Sequence, residues 1–258
     1  MFKNKMETES IPERVYTLCK IVEKAPTTNQ DLKERMEPSF LGQKTLYFNF
    51  YRNTAEELKL ISVSDNVLSV AVEKEVLENY ESFRKYVNSI IHKYEDGEFY
   101  AVTKAYFELD NKIFSGEKNV AAMTDELSRI CKRSIDAKSM RAWRFWASFL
   151  GFGYLQDMFL IPNADVFVAD IIENAKLDKG VKYSFGEFVK LITPYVNVIW
   201  DADEGRKQIN YGLSCGLRTL HDQGIITMEH ILDQEDIWSI YPLKAHAIAT
   251  TVTNITIN

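Results

Sequence analysis

Residues 45–72 constrain the fold of this chain more than any other stretch. They read as a helical segment that passes directly into two short apolar strands around the polar turn Ser64-Asp65-Asn66. Apolar residues between Leu60 and Val72 alternate with Ser and Asn, which is the period of a half-buried strand and not of a helix. The polar side chains of this turn can form hydrogen bonds with its backbone N–H and C=O groups. We therefore expect a β-hairpin immediately after a helix.

Two further helices are predicted before this stretch. Pro12 suits the first turn of a helix, and the apolar residues after it recur at steps of three and four, at Val15, Leu18, Cys19 and Val22. Thr28, followed three residues later by Asp31, resembles a capping box that opens a second helix over residues 30–36. Residues 1–72 therefore read as three helices and a hairpin, and we call them the first module.

The same order of elements is predicted in residues 119–162, the middle module. Thr124 is placed to cap a helix over residues 125–132, and a second helix over residues 138–150 ends at Gly151. A hairpin then follows, with Gln156-Asp157 as its only turn signal.

A further copy is predicted in residues 163–243, the third module. Ser184 and Glu187 form a capping box at the start of one helix, and a longer helix covers residues 209–223. Two strands are then predicted at residues 225–228 and 237–241.

The three modules share a hinge where the last helix meets the first strand. It lies at Lys59, Gly151 and Gly224, separated by unequal spacings of 92 and 73 residues, which indicates repeated domains and not a solenoid. Two extra helices in residues 73–118 form a helical linker that explains the longer spacing. Residues 244–258 are predicted to form a C-terminal tail.

The composition is that of an ordinary globular protein. Hydrophobic residues make up 46% of the 258 positions and charged residues 26%, with no apolar run of membrane length and no signal peptide. Cys19, Cys131 and Cys215 are isolated in the sequence, which favours buried thiols in a reducing compartment. We therefore expect a cytoplasmic protein without membrane contact.

Positive charge is concentrated in the middle module. The formal net charge of the chain is −6, yet residues 119–162 hold six basic and four acidic groups. The basic groups are Arg129, Lys132, Arg133, Lys138, Arg141 and Arg144. A protein that neutralises phosphates needs local basic surface, so these residues are the first candidates for contact with double-stranded DNA. The alternative is a solvated face that keeps an apolar helix soluble.

The last helix of the first module offers a second candidate surface. Lys44, Asn49 and Arg52 lie on its expected exposed side, and Asn or Arg there suits base edges in a major groove. The negative charges of Glu56 and Glu57, later in the same helix, weaken this interpretation. The aromatic side chains of residues 45–58 cover more than one helix face, so they either pack within the chain or stack on a base or a protein partner.

The third module is predicted to contact protein and not a duplex. Its few basic residues are offset by acids, and Asp233, Glu235 and Asp236 would repel phosphates. Residues 201–241 are therefore a candidate protein-binding surface, as is the aromatic helix. The alternative is that these acids are exposed groups without a specific partner.

No catalytic constellation is recognisable. The sequence has no His-Glu-x-x-His, no paired Cys-x-x-Cys, no glycine-rich phosphate loop and no Gly-x-Ser-x-Gly elbow. The best metal candidates are His221, Asp222, His230 and Asp233, but they span a helix end and a loop, and ordinary surface polarity explains them. Neither a cofactor nor a metal is expected, and an enzyme with an unrecognised site is a third hypothesis only.

Residues 11–72 and 184–241 resemble winged helix-turn-helix modules, and the middle module is similar to them in a looser way. The resemblance implies a mainly α fold with small β-hairpins, in tandem winged-helix modules joined by a helical linker. It implies DNA binding as the commonest role and adaptor work between proteins as the second. We therefore expect a non-catalytic DNA-binding or DNA-associated protein that docks on phosphates through the middle module. The alternative is an adaptor subunit of a complex that contains an ATPase or a nuclease, similar in overall impression to accessory components of bacterial anti-phage systems.

Overall fold

The chain folds into a mainly α-helical structure with small antiparallel sheets, as predicted. The computed structural model describes residues 1–41, 47–202 and 205–258. Ten α-helices lie in these ranges: α1 (Pro12–Lys24), α2 (Asn29–Met36), α3 (Phe48–Glu57), α4 (Tyr80–Ile90), α5 (Glu98–Glu108), α6 (Thr124–Cys131), α7 (Ala137–Phe149), α8 (Asp165–Asn174), α9 (Phe185–Val196) and α10 (Tyr211–Asp222). None of the helices in the described ranges is long and apolar enough to cross a membrane.

Ten short strands form four sheets within the same described ranges. They are β1 (Thr27–Thr28), β2 (Ile61–Ser64), β3 (Val67–Val70), β4 (Gly153–Gln156), β5 (Phe159–Pro162), β6 (Lys182–Ser184), β7 (Ile226–Glu229), β8 (Trp238–Ser239), β9 (Thr251–Val252) and β10 (Asn254–Ile257). Two sheets have three strands, in the orders β1-β3-β2 and β6-β10-β7, and two are the pairs β4-β5 and β8-β9.

The first module has the predicted helices and hairpin. Thr28 caps α2, because its hydroxyl accepts the N–H of Asp31 at 3.1 Å. The β2–β3 hairpin turns through Asp65 and Asn66, whose φ angles of 51° and 63° are both positive, as a type I′ turn requires. Strand β1 adds to this hairpin beside β3.

The middle module has its two predicted helices and its hairpin, with Asp157 in the turn. The expected cap by Thr124 is wrong, because α6 begins at Thr124 itself and no side chain caps it. Helix α7 has a side-chain cap that the sequence pattern did not predict. The carboxylate of Asp136 accepts the N–H of Ser139 at 2.7 Å.

The strands of the third module pair differently from the prediction. Strand β7 does not pair with residues 237–241, and its partner is β10, which lies between β6 and β7. Ile255 and Ile257 of β10 are buried, since alternate residues of this strand point into the core. Residues 244–258 are therefore part of the fold and not a tail.

Residues 230–253 separate β7 from β10, and we call them the insertion. Within it, β8 and β9 pair with each other, and Trp238 and Val252 are buried. The insertion is anchored on α10, as described below, so the third module carries a large elaboration where the first and middle modules have tight turns.

The predicted hinge has the same backbone geometry in all three modules. Lys59, Gly151 and Gly224 follow α3, α7 and α10 with positive φ angles of 57°, 78° and 72°. In each case the next N–H donates to the carbonyl five residues earlier, at 2.9 to 3.0 Å: Leu60 to Ala55, Phe152 to Ala147 and Ile225 to Leu220. This is the Schellman ending of a helix, in which a left-handed residue satisfies the last carbonyls.

Helices α4 and α5 lie in the shared core and do not act as a spacer. Phe83 of α4 and Tyr106 of α5 are fully buried. The Trp146 ring of α7 lies 6.3 Å from that of Phe83 and 4.9 Å from that of Phe2, and Trp143 packs 4.7 Å from Tyr106. These aromatic contacts fix the middle module against the predicted linker.

Candidate nucleic-acid interface

Four predicted cations of the middle module are exposed: Arg129, Lys132, Arg133 and Arg141. Arg133 is engaged by a backbone carbonyl, which leaves Arg129, Lys132 and Arg141 as the candidate contacts. The Arg129 side chain is 78% exposed, with Glu126 3.9 Å away. Within residues 1–41, 47–202 and 205–258, neither Lys132 nor Arg141 forms a side-chain hydrogen bond or an ion pair. Their charges are therefore available to an external anion.

Lys138 is held by the chain itself, in contrast to its predicted role as a free phosphate contact. Its ammonium pairs with Glu7 and lies 3.5 Å from Oε2 of Glu9. The ring of Phe50 in α3 lies 5.7 Å from the same nitrogen. The hydrogen bond to Glu7 raises the pKa of Lys138, against a smaller lowering by burial. Lys138 therefore stays charged while its charge is neutralised locally.

Arg133 and Arg144 use their guanidinium groups to hold backbone carbonyls. Arg133 donates to the carbonyl of Asp96 at 2.8 Å, and Arg144 donates to that of Asp157 at 2.5 Å. The Arg144 guanidinium also stacks 4.5 Å from the Phe145 ring centre. Burial lowers the pKa of Arg144, and the nearby charge of Arg141 lowers it further. Both guanidinium groups are therefore engaged within the fold, Arg144 as a half-buried group and Arg133 as one that stays exposed.

Helix α3 presents amide side chains to solvent. Asn49 is exposed as predicted, and Asn53, one turn later, is exposed as well. Arg52 is half-buried, since it donates to Asn29 at 3.3 Å and to Asn53 at 2.9 Å. Lys44 lies outside the described residues. Asn53 was not among the candidates from the sequence, although its spacing of four residues from Asn49 puts both on one helix face.

The aromatic residues of α3 serve mainly the core. Phe48 and Tyr51 are buried with their ring centres 5.6 Å apart, and the Tyr51 hydroxyl donates to Glu37 at 3.0 Å. Phe50 is half-buried beside Lys138, and Tyr47 is 40% exposed. Packing within the chain therefore accounts for most of this aromatic surface.

The N-terminal segment of the first module, residues 1–10, packs against the middle module, an arrangement that the sequence did not predict. Phe2 and Met6 are fully buried. Lys5 pairs with Asp136 at 2.6 Å, and the carbonyl of Ser10 accepts from the indole of Trp146 at 2.6 Å. No local pattern signals this arrangement, because the partners of Lys5 and Ser10 lie 131 and 136 residues away.

The insertion covers the outward face of α10. Arg218 is only 4% exposed and donates to the carbonyls of Ile248, Tyr241 and Ala249 at 2.6 to 3.0 Å. The hydroxyl of Ser214 accepts the N–H of Tyr241 at 2.9 Å. Arg218 is one of the basic residues that the sequence shows to be offset by acids. In the fold it is a buried anchor, and this face of α10 is closed to a duplex.

Asp236 has a structural role within the chain, whereas the sequence placed it in a candidate protein-binding surface, with a free exposed acid as the alternative. It accepts from Lys207 at 2.7 Å, from the N–H of Gly186 at 3.0 Å and from the indole of Trp238 at 3.1 Å. Burial raises the pKa of Asp236, but these donors outweigh it and hold the pKa below its usual range. The acid therefore fastens the insertion to the start of α9.

The outer part of the insertion is both apolar and acidic. Leu232 is 85% exposed, and Asp233 and Glu235 are exposed close to it in the sequence. Leu243 is 46% exposed. Residues 203 and 204, which belong to the same predicted acidic surface, lie outside the described residues.

The candidate metal ligands do not form a site. In the part of the chain that the structure describes, no group of three or more His, Cys, Asp or Glu residues is placed to hold a metal ion. His221 accepts the N–H of Met228 at 3.1 Å, and His230 lies 3.2 Å from the Thr251 hydroxyl. These side chains stabilise the edge of β7 and the insertion.

Comparison with known proteins assigns neither a family nor an activity. No family model matches the sequence, and no curated protein and no solved structure matches the chain. The functional conclusion therefore follows from the arrangement of charged and polar residues in the chain itself.

Proposed function

We propose that this chain is a non-catalytic, DNA-associated protein of tandem winged-helix modules that docks on the phosphates of double-stranded DNA. The first and third modules support the fold assignment through a shared order of helix, strand, helix, helix and two strands, with β8 and β9 of the third module as part of its insertion. In both sheets the last strand lies between the other two. The middle module repeats the final two helices and the hairpin, with the same helix ending.

The observation that carries the docking proposal is the exposure of Arg129, Lys132 and Arg141. They lie on α6, on α7 and at the turn between these helices, the pair that corresponds to the DNA-binding part of a helix-turn-helix. A phosphate that approaches them breaks no strong internal bond. Each phosphate contact lowers log affinity by about 0.9 per unit of log salt, so three contacts predict a slope of about −2.7.

The first module supplies the candidate base contacts. Asn49 and Asn53 are exposed on α3, and an Asn amide matches the N6 and N7 edge of adenine in the major groove. Helix α10 of the third module contributes none, because the insertion covers it. The proposal therefore assigns DNA contact to the first and middle modules.

A salt titration of duplex binding tests the proposal. We expect the wild-type chain to bind a mixed-sequence duplex with a slope of about −2.7, and Arg129→Glu combined with Arg141→Glu to weaken binding at least about tenfold. Arg144 is left unchanged because it holds the β4–β5 turn.

The matched control reverses Lys112 and Lys179, which are exposed outside the middle module and change the net charge equally. It should keep binding within about twofold of wild type, because only local charge neutralises phosphate. Equal losses in both variants, or binding that does not depend on salt, would contradict the assigned surface.

A protein adaptor is the second candidate, favoured by the outer part of the insertion. Leu232 and Leu243 are exposed apolar side chains in an acidic segment, a composition that suits a partner with apolar and basic groups. The adaptor function predicts no salt-dependent duplex binding by the wild type. It also predicts that Leu232→Ser with Leu243→Ser weakens retention of a partner that copurifies with the wild-type chain, without lowering the melting temperature.

A further inference from the structure

Lys138 and Arg141 are neighbours on α7, but only Lys138 is paired with acidic side chains of the chain. They are three residues apart, which places them side by side on the helix surface. Arg141 is exposed and has no partner among the described residues, whereas the Lys138 ammonium is shared between Glu7 and Glu9. The Lys138 side chain is still 42% exposed, so an external anion can reach it.

The acidic turn that carries Glu7 and Glu9 is fixed by its ends and not by Lys138. Met6 and Ser10, on either side of it, are buried. The N–H of Ser10 donates to the carbonyl of Glu7 at 3.0 Å, and the Ser10 hydroxyl lies 2.6 Å from that of Thr54. Loss of the two carboxylates therefore leaves the turn in place.

The internal pairing leaves one carboxylate incompletely satisfied. Oε2 of Glu9 is buried, lies 3.5 Å from the Lys138 nitrogen and has no hydrogen-bond partner among the described residues. Partly exposed ion pairs are weak because water screens them. A lysine is also a compact charge on a flexible stem with three donors, so it can turn from a carboxylate to a phosphate by side-chain rotation alone.

We infer that Glu7 and Glu9 act as internal substitutes for DNA phosphates, which mask Lys138 and lower the affinity of the middle module until a duplex displaces them. The inference rests on the proposed function, since it concerns the regulation of the same surface. In the unmasked state Lys138 adds a phosphate contact next to Arg141. In the masked state the two carboxylates occupy Lys138, so it makes no phosphate contact.

Removal of the two carboxylates tests the mask. Glu7→Gln with Glu9→Gln should bind a mixed-sequence duplex about fivefold to tenfold more tightly than wild type, with a salt slope steeper by about 0.9 because one contact is gained. The control, Asp233→Asn with Glu235→Gln, changes the net charge equally at exposed positions of the insertion. It should stay within about twofold of wild type.

A triple variant separates release of Lys138 from a general gain in positive charge. Adding Lys138→Gln to Glu7→Gln and Glu9→Gln should return both affinity and slope to wild-type values, because the released contact is gone. Thermal melting of each variant verifies that it is folded. A gain that persists in the triple variant overturns the mask.

The outcomes distinguish the mask from the proposed function. If wild type binds through Arg129 and Arg141 but the Glu7→Gln and Glu9→Gln variant is no tighter than its control, the mask is wrong and the proposed function stands. If no variant binds the duplex at any salt concentration, the proposed function fails and the mask fails with it.

Discussion

Arg84 and Asp170 form a two-point ion pair that joins α4 to α8. Nε of Arg84 donates to Oδ2 of Asp170 at 2.8 Å, and Nη2 donates to Oδ1 at 3.0 Å. Asn88 adds a third hydrogen bond to Oδ2 at 2.8 Å. Asp170 is 1% exposed, so these donors replace the water that its charge has lost.

Removal of Arg84 should destabilise the protein strongly. Arg84→Met leaves the buried Asp170 carboxylate without its cation, and breaking a buried pair in this way costs about 3–5 kcal/mol. The double variant Arg84→Met with Asp170→Leu should cost less, because it removes the stranded charge as well. Urea denaturation measures the free energy of unfolding of both variants.

A neighbouring ion pair provides the control. Lys85 pairs with Glu173 at 2.8 Å between the same two helices, but the Glu173 side chain is 61% exposed. Lys85→Met should therefore cost no more than about 1 kcal/mol. Similar losses for Arg84→Met and Lys85→Met would show that burial of Asp170 does not control the strength of this contact.

Asp136 should make stability depend on pH in the acid range. The hydrogen bond from Lys5, with that from the N–H of Ser139, lowers the pKa of Asp136 from 3.8 to about 2. A carboxyl whose pKa is lower in the folded state contributes stability above pH 3.8, and this contribution is lost as the pH falls from 3.8 towards 2. Asp136→Ala also removes the cap of α7, which costs about 1 kcal/mol at neutral pH.

Urea denaturation at about pH 6 and about pH 3 checks this prediction. The difference between wild type and Asp136→Ala should shrink at the lower pH. Asp136→Asn keeps an oxygen for the N–H of Ser139 but carries no charge, so it should be more stable than Asp136→Ala at pH 6. A difference between wild type and Asp136→Ala that is the same at both pH values would contradict the role of the charge.

Local signals predicted most elements of this fold, and long-range contacts explain what was missed. The turn at Asp65 and Asn66 and the capping box at Ser184 each depend on a few neighbouring residues, and both are confirmed. The partner of β7 is separated from it by the whole insertion, and the alternation in β10 suits many sheet positions. Local periodicity therefore could not identify that pairing.

In the candidate site, too, local patterns predict some features and long-range contacts determine the others. A charged residue on a helix with a strongly apolar face is expected to be exposed, and Arg141 of α7 is exposed. The pairing of Lys138 with Glu7 joins residues 131 positions apart, and no pattern within α7 indicates it. Exposure was therefore predictable from the sequence, whereas neutralisation of Lys138 required the tertiary structure.

Arg218 should control the order of the insertion. Its guanidinium reaches three backbone carbonyls, and Lys cannot reproduce this planar fork of donors. Arg218→Lys should lower the free energy of unfolding by about 2–3 kcal/mol, because it takes donors away from three partly buried carbonyls. Hydrogen exchange should accelerate in residues 238–252 more than in the β2–β3 hairpin.

The control for this variant is Arg35→Lys, at an exposed position of α2. Surface substitutions of this kind change stability by less than about 0.5 kcal/mol. If Arg218→Lys accelerated exchange equally in the insertion and in the first module, Arg218 would act on global stability and not on the insertion in particular.

The last prediction concerns the left-handed residue that follows α3, α7 and α10, because the packing around it differs among the three modules. A Cβ at Gly151 would lie 2.6 Å from Cβ of Val166, whereas a Cβ at Gly224 meets no atom within 4 Å. Gly224→Ala should therefore cost about 1 kcal/mol from its left-handed backbone alone, and Gly151→Ala about 3 kcal/mol because overpacking adds to that strain. Lys59 already bears the same strain, so Lys59→Gly should stabilise the protein by up to about 1 kcal/mol. Urea denaturation of the three variants gives this order, and equal losses at the two glycines would mean that close packing at Val166 does not limit the middle module.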